Sequence, residues 1–120
     1  MDAVAAILVG LVALLHAWFL VLEMFLWNTP TGHATFGLEA AFAEESKSLA
    51  ANQGLYNGFL VAGLVYGLVG PDAHQYAFQV FFLICVIVAG LYGGATVNKR
   101  ITLVQALPAA LALAAVVAAN

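Results

Sequence analysis

Hydrophobic positions fall into four long runs: about Ala3–Trp27, Leu49–Val69, Ala73–Val97 and Ile101–Ala119. Each approaches the ~20 mostly apolar residues that a helix needs to cross a bilayer. Periodicity within the runs is weak because most faces are apolar, as expected for helices in lipid. No stretch alternates with period two over the ~10 residues of a membrane barrel strand. The pattern predicts an all-α integral membrane protein. Its helices form a four-helix bundle with short hairpin connections, folded as one transmembrane domain over residues 1–120. A longer polar cytoplasmic loop joins helices 1 and 2. The first run closes at Trp27, Asn28 and Pro30, where proline stops a helix and tryptophan suits the interface belt. Thr31–Ser48 mixes Phe36, Leu38 and Phe42 with Glu39, Glu44, Glu45 and Lys47. That mixture predicts a short amphipathic helix or loop at the membrane surface. Pro108 predicts a kink in the fourth helix.

Composition narrows the class. The chain is 65% hydrophobic and 8% charged, and a soluble domain of this size has no room to hide so much apolar surface. The net charge of −3 offers no basic patch for nucleic acid. Cys85 is the single cysteine, so it forms no intramolecular disulfide and no thiolate metal site. The first run has no basic flank, is long for a secretory signal, and contains His16 and Glu23, so a membrane anchor explains it better. Lys47 lies in the first connection, and Lys99 and Arg100 in the third. The positive-inside rule then places both termini outside the bacterial inner (cytoplasmic) membrane. With only three basic residues, dual insertion is the alternative.

Small residues recur at helix-packing spacing: Gly54 with Gly58, Gly63 with Gly67, Gly90 with Gly94, and the stripe Ala106, Ala110, Ala114 and Ala118. Such faces let membrane helices approach closely. They serve contacts within the chain or the seam of a homodimer.

The candidate chemistry centres on Glu23. A charge in hydrocarbon costs roughly 2.5–3.5 kcal/mol on insertion scales, so such residues face a bundle interior, a cavity or a partner. His16 lies seven residues earlier on the same helical face, and Trp27 joins them. Asn52, Gln53, Tyr56 and Asn57 cover one arc of roughly 140° on the second helix, with Gly54 and Gly58 on its other side. Tyr92, Thr96, Thr102 and Gln105 fall on the same side of the membrane in the expected topology. These residues predict a polar pocket lined by Glu23, His16, Trp27, Asn52, Gln53, Tyr56 and Asn57, with Glu44 and Glu45 over its mouth.

A carboxyl in such a pocket trades a proton for a cation or acts as an acid–base group. The main expectation is binding or transport of a small cationic or amphiphilic (lipophilic) ligand, with the lipid bilayer as the surrounding partner. The alternatives are a membrane enzyme or redox accessory acting on a lipid or quinone, with Glu23 and Tyr56 as acid–base groups, and a purely structural role. No cofactor is implied. No metal site is expected: His16 and Glu23 are about 10 Å apart along the axis, and no HExxH or CxxC spacing is present. His33, Glu39, Glu44 and Glu45 read as a solvated surface cluster. No nucleophile has a base at recognisable spacing.

The blocks LEMFLW (Leu22–Trp27), FGL (Phe36–Leu38), FAEES (Phe42–Ser46) and ANQGLYNGFLVAGL (Ala51–Leu64) carry a resemblance. The chain resembles a small bacterial membrane family catalogued as domain of unknown function 1304, itself distantly similar to the DoxX group. The resemblance covers almost the whole chain. It implies four helices in the inner membrane and puts weight on Glu23, Glu44, Glu45, Asn52, Gln53, Tyr56 and Asn57, but brings no established activity. Small multidrug-resistance exporters are similar in length and in having one carboxylate in the first helix. The acidic first connection and the polar second helix depart from their pattern.

Overall fold

The computed structural model describes residues 2–120. Five helices follow one another: α1 (Ala3–Met24), α2 (Pro30–Phe36), α3 (Ala40–Val69), α4 (Asp72–Thr96) and α5 (Lys99–Ala118). No strand occurs among the described residues. Three of these helices, α1, α4 and α5, are long and apolar enough to cross a membrane, the mark of an integral membrane protein.

Two expectations change here. The helices number five, because part of the first connection folds as α2. The second apolar run is not an independent span-length helix either. It is the last two-thirds of α3, which begins at Ala40 and extends for 30 residues. Glu44, Glu45, Lys47, Asn52 and Gln53 fill its first half, so its composition falls short of that of the other three.

The chain's contacts fall into two compact units: one holds the start of α1 up to Leu14 together with everything from Ala62 onward, and the other is Leu15–Val61. In the first unit, the buried core takes Ala5, Val9 and Val12 from α1 and Leu64 from α3. It takes Leu83 and Val86 from α4, and Ala106, Ala109, Ala112 and Val116 from α5. Steps of three and four residues separate the buried positions within α1, α4 and α5, so each of these helices buries one face.

Small residues set the closest approaches in this unit. A Cβ on Gly90 would lie 2.6 Å from the Ala106 nitrogen, and one on Gly94 would collide with the Thr102 hydroxyl. The Thr102 hydroxyl donates to the Gly90 carbonyl at 3.0 Å. Similarly, Gln79 lies against Gly67, its amide donating to the Gly67 carbonyl at 2.6 Å. The buried face of α5 turns away from the expected alanine stripe: Ala106 is buried, but Ala110, Ala114 and Ala118 are exposed.

Over Thr102–Ala106, α5 widens into one π-helical turn, and the Leu107 N–H bonds the Thr102 carbonyl five residues back. Pro108 follows just after Leu107. Proline has no N–H and crowds the carbonyl four residues before it, so the irregularity expected at Pro108 takes the form of a widened turn.

Candidate functional site

The candidate site lies within the unit Leu15–Val61 and begins where α1 stops. After Met24 the Val21 carbonyl accepts from both Phe25 and Leu26, at 3.0 and 3.1 Å. The chain then reverses through Thr29, whose hydroxyl donates to the Leu26 carbonyl at 2.6 Å and accepts from the Gly32 N–H at 3.3 Å. Pro30 occupies the first turn of α2, where its missing N–H costs nothing. Its role is thus to start α2, six residues after α1 has ended. Gly32 must be glycine, because a Cβ would strike the carbonyl oxygens of Leu26 and Trp27. Gly37 closes α2 at φ 65°, a conformation that glycine adopts freely.

This turn returns the chain so that α3 packs along the end of α1. Ala43, Ala50, Gly54 and Asn57 are buried on α3, at spacings of seven, four and three that keep them on one helical face. At Gly54 the approach is tight. A Cβ there would lie 2.5 Å from Met24 Cγ and 3.1 Å from Glu23 Cβ, and one on Gly58 would lie 3.0 Å from Leu20 Cδ1.

The close approach brings two amides onto one carboxylate. Gln53 Nε2 donates to Glu23 Oε2 at 2.7 Å, and Asn57 Nδ2 donates to Glu23 Oε1 at 2.5 Å. Glu23 is only 4% exposed and Asn57 8%. Each carboxylate oxygen therefore holds one N–H donor, and both donors are neutral. His16 is also buried and meets the Phe19 ring edge-on, at 5.2 Å between centroids.

The other expected residues go elsewhere. Asn52 is exposed and donates to the Ser48 carbonyl of its own helix at 3.0 Å. Tyr56 is 60% exposed, beside Phe59. Helical geometry gives the reason: at ~100° per residue, Asn52 and Tyr56 project roughly 160° away from Gly54. The polar arc on α3 exists, but only its edge at Gln53 and Asn57 meets α1. The glycines lie on the contact face, not behind it.

Trp27, Glu44 and Glu45 belong to a more superficial layer. Trp27 Nε1 donates to Ser46 Oγ at 3.0 Å, and its ring meets Phe36 at 4.9 Å. The Glu44 carboxylate accepts from Asn28 and from Lys47, each at 2.7 Å. Asn28 in turn accepts from the His33 ring at 2.8 Å. The hydrogen bond and charge of Lys47 hold the Glu44 carboxyl below its ordinary range. Glu45 is exposed. Asn28, His33 and Ser46 join this network through contacts 5 to 19 residues apart in the chain, a spacing with no sequence signature. Gly54, between Gln53 and Asn57, was the legible sign of which side of α3 meets α1.

Among the described residues no group of three or more histidine, cysteine, aspartate or glutamate side chains is placed to hold a metal ion. The neutral amides around Glu23 are suited to hold a carboxylate in place, and its remaining lone pairs can accept from a proton donor or a cation.

Comparison with known proteins agrees along nearly the full length. The chain is 36% identical over 115 residues to "Uncharacterized protein YpaA" of Lactococcus lactis subsp. lactis (strain IL1403), covering 94% of this chain and 96% of that protein. No solved structure matches it. A family model matches residues 10–117, and the chain belongs to that family, described as "Protein of unknown function (DUF1304)".

Proposed function

We propose that the protein binds, and by doing so carries or senses, a small cationic or amphiphilic ligand at the Glu23 carboxylate. The observation behind this reading is the paired donation of Gln53 and Asn57 to a buried carboxylate in an apolar helix. Amides supply hydrogen bonds but no charge. A buried carboxylate also needs a compensating positive charge, either a proton or a cation. Glu23 is the penultimate residue of α1, where an ionisable group costs less than the roughly 2.5–3.5 kcal/mol of a span centre but is still unfavourable in an apolar helix. Interhelical hydrogen bonds in membranes return only about 0.6 kcal/mol each, so the two amides are weak adhesion by themselves.

In this reading the apolar half of α3 also crosses the bilayer, giving four crossings in the bacterial inner membrane with both termini outside. The polar half of α3 then projects into the cytoplasm. Roughly 45 Å of helix, from 30 residues at 1.5 Å each, exceeds the ~30 Å hydrocarbon layer. A ligand would then reach Glu23 from the cytoplasmic side.

The test is calorimetric titration of the detergent-solubilised protein with a lipophilic phosphonium cation, wild type beside Glu23→Gln. We expect at least tenfold weaker binding by the variant, with its helical circular dichroism unchanged. Equal binding by both proteins, or binding by neither, would sink the proposal. In the latter case a loss of thermal stability in the variant would favour the structural reading.

A further inference from the structure

We infer that Gln53 and Asn57 form a proton-operated clamp on Glu23, in which protonation of the carboxyl turns one amide through about half a turn. The inference rests on the functional reading above and adds a regulation to the same site. It follows from donor and acceptor counting. As arranged, both amides donate, and both carboxylate oxygens accept. This arrangement matches the ionised carboxyl, whose two oxygens both accept and neither donates.

When Glu23 takes up a proton from solvent, its charge goes from −1 to zero and one oxygen becomes an O–H donor. That oxygen becomes a poorer acceptor for the N–H it faces, and its own hydrogen now needs an acceptor. In a site this buried a donor without an acceptor is costly. The nearest available acceptor is the carbonyl oxygen of the same amide, presented by rotating that amide.

Asn57 is the more constrained of the two, being buried while Gln53 is exposed. Gln53, with a longer side chain and an open outer side, is therefore the amide that turns. The turn replaces one N–H donation to a charged oxygen with an O–H donation to a neutral amide, so a proton reverses one of the two links between α1 and α3 and weakens it. A cationic ligand, by contrast, leaves the carboxylate ionised and both amides donating. Proton and cation thus select opposite states of the clamp.

Several other groups in the unit titrate. His16 lies on the same face of α1. Glu44, Glu45, Lys47 and Tyr56 lie on α3, and His33 and Glu39 lie in the segment between the two helices. The test must separate Glu23 from all of them. Glu23→Gln does so, because a glutamine has one acceptor oxygen and one donor nitrogen, as the protonated acid does.

The experiment is NMR of the side-chain amide groups of Gln53 and Asn57 in ligand-free protein in detergent micelles, from acid to alkaline pH. We expect the Gln53 amide signals to move in a single pH step in the wild type. In Glu23→Gln the step should be absent, with the signals fixed near the acid positions of the wild type. A step that persists in the variant would assign the change to another group and overturn the inference. So would variant signals at the alkaline wild-type positions. Should the variant fail to fold, the wild-type titration decides alone, and amide signals that do not move with pH overturn the clamp. Since no ligand is present, the clamp can fail while cation binding stands, and the reverse.

Discussion

At the scale of single residues, the site depends on what is missing at Gly54 as much as on what Glu23 carries. Its absent side chain lets α3 come near enough for two short amides to reach the carboxylate. Gly54→Val should therefore push against Met24 and Glu23 and lower stability by about 1–3 kcal/mol, the usual range for overpacking. Gly10→Val is the control, since nothing lies within 4 Å of a Cβ there and its thermal unfolding in detergent should change little. Glu44 gives a residue-scale pH dependence. Its carboxyl is held below the ordinary value by Lys47, so the contact favours the fold above the unfolded-state value. That contribution is lost as pH falls through the lower folded-state value. We expect Lys47→Met to raise the Glu44 titration midpoint back toward that of an ordinary glutamate, read from its carboxyl carbon shift. An unchanged midpoint would mean that the pair seen here does not persist in solution. The contact is fully exposed, so its effect on overall stability is small.

At the scale of elements, the junction of α1, α2 and α3 is fastened by contacts that are local in space and distant in sequence. The Trp27–Ser46 bond spans 19 residues. Ser46→Ala should cost about 1 kcal/mol, the usual net contribution of one hydrogen bond, and should speed hydrogen exchange at the Trp27 indole N–H. Exchange at the wild-type rate would show that the bond does not hold the junction. Here the sequence was legible in part. Apolar runs located α1, α4 and α5 to within a few residues, since hydrophobicity alone makes such helices. The start of α3 was hidden because its first turns are polar, and a polar helix with one thin buried stripe at Ala43, Ala50 and Gly54 resembles a loop in composition. The polar arc of α3 was visible, but which edge of it met α1 depended on the depth of the glycine contact. Glu23, Gln53 and Asn57 were thus foreseen together, while Asn52 and Tyr56 were expected beside them and lie outside.

At the scale of the whole molecule, the number of times the chain crosses the membrane decides where its two ends lie. Three helices have the length and composition to do so, and our proposal adds α3. The two counts separate cleanly. Four crossings leave the N- and C-termini on the same side of the membrane, and three leave them on opposite sides. Reporter fusions at both ends should give matching signals, both outside, and opposite signals would remove α3 from the count. The π-helical turn at Thr102–Ala106 has a bearing on how this chain can change length. A π turn holds one residue more than the α-helix around it requires. Removing one residue there lets the helix rewind to ordinary pitch while the segments on either side keep their phase, so Ala109, Ala112 and Val116 still face inward. The same deletion in the middle of α4 would rotate everything beyond it by about 100° and turn Val86 and Gly90 outward. Chains shorter by one residue at this point would therefore pack as this one does, and the widened turn is where the fold absorbs such a difference.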